Sequence, residues 1–257
     1  MIYTKSPDEI IGMRNACRLA AEVLEAVGKN ITPGITTKEL ERVAAKKLKS
    51  LGAKSAFFGY RGYPGIICIS VNEVVIHGIA SSQKLKEGDI VGIDVGVKYN
   101  GFYGDTARTF PVGKISADAE KLLSVSEVAL YNAIKSCKAG CRVGDISSAI
   151  QSTAEKNGFS VVRDFVGHGI GRELHEDPQI PNYGKVGVGP RIPENCCLAI
   201  EVMLNQGSWQ VRTLSDKWTV ETLDKKLSAH FEHTVLVKKE GAEILTKQAR
   251  NPNKDKY

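Results

Sequence analysis

No run of apolar residues in this 257-residue chain approaches the roughly 20 needed to cross a bilayer, which excludes a helical membrane protein. No secretory leader is expected either, because Pro7, Asp8 and Glu9 interrupt the start before an apolar segment forms. Cysteine is sparse. The six residues, Cys17, Cys68, Cys137, Cys141, Cys196 and Cys197, form no paired CxxC motif, which argues against a disulfide scaffold and a structural zinc site. They are expected to be reduced and to pack as small hydrophobes. Neither sign of charge dominates: 35 basic against 29 acidic residues leave a net charge of +6. That supports weak attraction to a polyanion, with residence near ribosomal RNA as a subsidiary expectation, but it does not mark a specific DNA reader.

What is present is a folded globular composition, 42% hydrophobic and 25% charged. The expectation is a cytoplasmic protein of one large domain or two fused halves. Ser6-Pro7-Asp8-Glu9 is a capping box with proline at the first helical position, and Ile10, Met13, Cys17, Ala20 and Leu24 follow at helical spacing. Thr36 to Glu39 repeats the device, and that helix stops at Gly52. Gly65 to Ile79 and Asp89 to Val97 are rich in β-branched residues and read as strands. Two further helices are expected over 118–136 and 145–157, then strands at 160–165, 196–204 and 230–237, then a polar, frayed tail from 247 to 257.

The order helix, helix, strands therefore occurs twice. A shift of 106 places Leu24 on Leu130, Gly34 on Gly140 and Gly52 on Gly158, and one residue more places Asp94 on Glu201. The fold class is α+β, with two halves, about 1–112 and 113–246, related by a pseudo-two-fold and flanking one cleft.

Acidic residues interrupt the strands. Asn100-Gly101 is a two-residue hairpin turn, which sets Gly96 opposite Asp105 and brings Asp94 to the same sheet face, with Gly96 leaving open space between them. Two carboxylates on one face repel unless a cation compensates. Arg108, an odd number of positions from Asp105, points to the other face. Glu201 stands in the apolar run CCLAIEVML, Glu232 in HFEHTVLV, and His168 among glycines in VGHGIGRELHEDP with His175 seven residues on. Four carboxylates and one imidazole make an oxygen-rich site for a harder divalent ion.

In that order, Asp94, Asp105, His168, Glu201 and Glu232 resemble the ligand set of the methionine aminopeptidases, most closely the compact type I enzymes. Supporting segments are NEVVIHGI around His77, GDTARTF after Asp105, GHGIGRELHEDP, SWQVRTLSDKWTVET and SAHFEHT. The resemblance implies a pita-bread fold, a central antiparallel sheet covered by helices. It implies two divalent metal ions (Mn, Fe, Co or Zn), with Asp94 on one, Asp105 and Glu232 bridging, and His168 and Glu201 on the other. It also implies Glu201 as proton shuttle, His175 as oxyanion stabiliser and His77 at the scissile amide nitrogen, beside a methionine pocket of Tyr60, Tyr63, Cys68 and Trp218. The implied reaction removes the N-terminal methionine of a peptide or nascent chain with a small second residue, in a monomer. Two positions depart from the family pattern: Val202 follows Glu201 in place of proline, and Leu174 precedes His175 in place of an aromatic. The alternatives are an X-Pro aminopeptidase of the same fold and a non-enzymatic binding protein built on it.

Overall fold

Residues 1–247 are described in a computed structural model. The expected polar tail, from Gln248 onward, lies outside the described residues.

Both capping boxes form as the sequence predicts, opening α1 (Pro7–Gly28) and α2 (Thr37–Ser50). A short strand β1 (Lys54–Ser55) follows, then β2 (Cys68–Val71) and β3 (Val74–Ile76), the expected long strand being broken by Asn72 at positive φ. Next come the hairpin strands β4 (Ile90–Tyr99) and β5 (Phe102–Pro111), then α3 (Ala117–Ser136) and α4 (Val143–Lys156). Helix α4 starts two residues before the expected Asp145. That carboxylate reaches back to accept from Arg142 N–H at 2.7 Å, so Asp145 closes the first turn instead of preceding it.

The expected strand at 160–165 pairs only over β6 (Ser160–Val161), and the chain re-enters the sheet as β7 (Val166–Gly169), which carries His168. The remaining strands are β8 (Glu176–Pro181), β9 (Cys197–Asn205), β10 (Val211–Thr213), β11 (Val220–Thr222), β12 (Ser228–Lys238) and β13 (Gly241–Ile244).

Ten strands form one antiparallel sheet whose main path is β1-β4-β5-β12-β9-β7-β8, with β2 on β4, β6 on β9 and β13 on β12. Strands β10, β11 and β3 make a small second sheet. The duplication is visible in the pairing. A displacement of 106 carries both ends of α2 onto α4, and β1 onto β6. Strands β1 and β2 lie on β4 as β6 and β7 lie on β9, and β5 meets β12 at the pseudo-axis.

Each half builds its own core on the helix-covered face. Val91, Ile93, Val95 and Val97 of β4 pack with Val23 and Leu24 of α1 and Leu40 and Leu48 of α2. Leu198, Ile200, Val202 and Leu204 of β9 pack with Leu122 and Leu130 of α3 and Ile146 and Ile150 of α4. This strict period of two commits the alternate positions, among them Asp94, Gly96, Ala199 and Glu201, to the opposite face. There a third cluster joins both halves, with Phe57, Tyr63 and Cys68 from one and Ile170, Leu174 and Ala199 from the other.

Candidate metal centre and peptide pocket

The carboxylates lie in one cross-strand row. Asp94 on β4 pairs with Ala107 on β5, Ala107 with Glu232 on β12, and Glu232 with Glu201 on β9. Alanine at 107 keeps the middle of the row low, and Asp105, two residues away and opposite Gly96, fills the place beside it. His168 pairs with Ala199, two residues from Glu201, so it enters from the next strand on the same face. Ligand atoms of Asp105, His168 and Glu232 come within 4.8 Å of one another. Asp94 flanks that group on one side, in side-chain contact with Asp105, and Glu201 on the other, with Oε1 3.3 Å from His168 Nε2.

The space opposite Asp105 is not open as the sequence suggests. A Cβ at Gly96 would collide with the ring of Phe57, so the glycine admits an aromatic wall against the row. Arg108 does point away, toward Glu127 of α3 at 3.7 Å.

Three carboxylates here are electrostatically unpaid. Asp94 Oδ1, Asp105 Oδ1 and Glu232 Oε1 are buried without a hydrogen-bond partner. Burial, then the neighbouring Glu201 charge, pushes Asp94 up to about 8; burial and the Asp94 charge raise Asp105, and burial and the Asp105 charge raise Glu232. Glu201 behaves oppositely. Burial disfavours its charge, but contacts with His168 and His230, whose Nε2 lies 3.6 Å away, outweigh that and hold its carboxyl below the usual range.

His168 supplies a second sign that the donor set suits a cation. Its Nδ1 donates to the carbonyl of Gly169 at 2.8 Å, so a neutral ring turns the Nε2 lone pair toward the Glu201 carboxylate. Lone pair facing carboxylate is repulsive unless a proton or a metal ion sits between them. Orphaned buried oxygens and an oriented imidazole fit a divalent ion.

Beside the row lie the other singled-out residues. His77 has a φ of 58°, uncommon for a non-glycine residue, and burial lowers its pKa. Its ring meets Phe165 edge-on at 5.7 Å and Trp218 at 6.2 Å, and Trp218 meets Tyr63 at 5.1 Å. Tyr63 commits its hydroxyl to the carbonyl of Gly78 at 3.0 Å, leaving the ring as an apolar wall. Cys68 is paired with Asp94 across β2 and β4 and is fully protonated, because burial and that charge raise its thiol pKa. Tyr60 sits apart from this wall, its hydroxyl 2.8 Å from His175 Nδ1. His175 lies 4.3 Å from His168 ring to ring, and burial followed by the His168 charge lowers its pKa to about 4, so it is neutral near pH 7.

All the singled-out residues thus gather on one face. Two neighbours were missed. His230 is two residues before Glu232, and strand alternation places it on the same face; that signal was available. Phe165 meets His77 only through the tertiary fold, and nothing local marked it.

A model of metallopeptidase family M24 matches residues 11–239. The chain is 51% identical over 247 residues to methionine aminopeptidase 1 of Bacillus subtilis strain 168, covering 96% of this chain and all of that one. The solved methionine aminopeptidase of Thermotoga maritima superposes with a TM-score of 0.95 at 48% identity, over 96% of this chain and all of that one. A prolidase from Pyrococcus furiosus shares the fold, with a TM-score of 0.79 at 25% identity, but this chain covers only 66% of it. The chain belongs to metallopeptidase family M24, and its architecture is the pita-bread fold. Within that family, the similarity that spans whole chains is to methionine aminopeptidases, not to the longer X-Pro peptidases.

Proposed function

We infer that the protein is a metal-dependent methionine aminopeptidase, removing the first residue from peptides and newly made proteins whose second residue is small. The observation that carries this reading is the row of four carboxylates, Asp105 and Glu232 buried and Asp94 and Glu201 half-buried, with His168, set beside an aromatic pocket in a chain that matches methionine aminopeptidases over nearly its whole length. Asp94 and Glu201 stand three strand spacings apart, about 14 Å at the backbone. That span is too wide for both to hold one ion, so Asp94, Asp105, His168, Glu201 and Glu232 together would hold two divalent ions.

Divalent ions, when bound there, polarise a carbonyl and acidify water. The chain supplies the rest. Glu201, kept ionised by its two imidazoles, takes the proton of the attacking water and returns it to the departing amine. His175 is neutral, and with Tyr60 donating to Nδ1 its ring proton lies on Nε2, where it meets the oxyanion of the tetrahedral intermediate. His77 contacts the scissile amide nitrogen. Tyr63, Cys68 and Trp218, with Tyr60 at the rim, form the thioether pocket, and Phe165 extends its wall. The reading takes residues 1–257 as one catalytic domain, its halves about 1–112 and 113–246 and its polar tail 247–257, acting as a cytoplasmic monomer on nascent chains. Among the described residues no helix is long and apolar enough to cross a membrane.

The purified protein with Mn²⁺, Fe²⁺ or Co²⁺ is expected to release methionine from Met-Ala-Ser and not from Met-Lys-Ser. Failure to cleave the first peptide with all three ions would overturn the assignment.

A further inference from the structure

A buried ion pair lies under the turn that carries His175. Lys5 Nζ is 2.5 Å from Glu176 Oε2, and the two side chains are only 3% and 14% exposed. The other oxygen of Glu176 accepts the backbone N–H groups of Arg172 at 2.8 Å and Glu173 at 3.3 Å. One carboxylate therefore gathers three donors and closes the turn from Gly171 to Glu176, with His175 its last residue before the carboxylate. Both ends of the device are anchored: Tyr103 N–H donates to the Gly171 carbonyl at 2.9 Å, and Lys5 N–H to the Asn195 carbonyl at 2.8 Å. A Cβ at Gly171 would overlap the Lys5 ammonium and the Glu176 carboxylate, so the backbone itself closes around the pair.

Stripping water from an ammonium and a carboxylate costs several kcal/mol per ion, and apolar residues of similar volume often hold a fold as well or better. A paired charge with directed bonds supplies fixed geometry instead. The group whose geometry is fixed here is His175, 4.3 Å from His168.

We propose that Lys5 and Glu176 are positioning residues for the hydrolysis, tying the N-terminal segment to the Gly171–Glu176 turn so that the His175 ring is held where the oxyanion forms. The proposal rests on His175 being the oxyanion donor. Neither Lys5 nor Glu176 touches substrate or the carboxylate row in this scheme.

Lys5→Met keeps the apolar stem and leaves Glu176 its two backbone donors, but releases the carboxylate from the N-terminal segment. Displacement of a catalytic group by about 1 Å can cost about a hundredfold, so kcat for Met-Ala-Ser should fall at least about tenfold, with KM little changed. Metal stoichiometry, measured by titration, should stay at the wild-type value, and Lys5→Arg should recover most of the lost kcat. In a His175→Ala background, Lys5→Met should cost nothing more, because a residue acting through another loses its effect when that one is gone. Wild-type kcat in Lys5→Met, loss of bound metal, or an undiminished Lys5→Met effect in the His175→Ala background would each overturn the proposal. If Lys5→Met fails to fold, Glu176→Gln, which keeps an acceptor for Arg172 and Glu173, takes its place with the same expected and overturning results. Unchanged activity in His175→Ala would instead remove the role assigned to His175, a failure distinguishable from that of the pair.

Discussion

The two halves contribute acids to one site, yet they treat them differently. Asp94 and Asp105, from the first half, keep raised pKa values although His168 lies within 4.8 Å of Asp105: burial and then the Glu201 charge raise Asp94, and burial and then the Asp94 charge raise Asp105. Glu201, the counterpart of Asp94 in the second half, is flanked by His168 and His230 and stays ionised. The pseudo-symmetry of the backbone therefore does not extend to the chemistry. Asp94, Asp105 and, from the second half, Glu232 are acids that a bound cation would compensate, while Glu201 already holds a charge suited to moving protons.

Breaking that asymmetry directly should give the largest effect. Asp105→Asn should reduce turnover to background, yet raise the melting temperature of the metal-free protein, because it removes an uncompensated buried acid. Glu201→Gln should also abolish turnover but lower the melting temperature, because it strips His168 and His230 of their partner. Thermal melts of both in chelator check this; shifts of the same sign would mean that the halves do not differ as described.

A pH series sharpens the same point. Asp94, Asp105 and Glu232 have folded pKa values above their unfolded ones, so their contribution to stability is present below the ordinary carboxylate range and lost as pH rises. The metal-free protein should therefore lose several degrees of melting temperature between about pH 4 and 8, the folded value for Asp94 being about 8. Added Mn²⁺ should restore more stability at pH 8 than at pH 5, since ions must displace those protons. A flat metal-free profile would count against uncompensated acids.

His230→Ala tests the second half alone. Loss of one of the two imidazoles should let the Glu201 pKa rise, moving the acid limb of kcat/KM to higher pH and costing about 10–100-fold in rate, the usual range for partners of a ligand. An unchanged limb would leave His168 as the sole control of Glu201.

The smallest effect belongs to the first half's turn. Asn100 and Gly101 have φ of 49° and 81°, so Gly101→Ala should cost about 1 kcal/mol in chemical denaturation with KM unchanged. A changed KM would show that the register of Asp94 and Asp105 had moved.

Much of this was legible in the chain itself. Both capping boxes and the Asn100-Gly101 register form as read, because caps and two-residue turns are decided by neighbours in sequence. Helix α4 begins before Asp145 because that carboxylate bonds back to the Arg142 N–H, and strand β6 is shorter than 160–165 because only Ser160 and Val161 find partners on β9. The acids stood out as charges in apolar strands, and their family pattern supplied the roles proposed for them.

By itself, the sequence determined which side chains face away from the helices, since a period of two leaves a strand residue only two choices. It also determined the duplicated order of elements. Only the tertiary structure decided that β5 meets β12, which aligns Asp94, Ala107, Glu232 and Glu201 in one row. It alone brought Phe57 against Gly96, Phe165 against His77 and Lys5 against Glu176. The physical reason is that pairing between strands far apart in sequence is selected by the packing of both cores together, which no local pattern encodes.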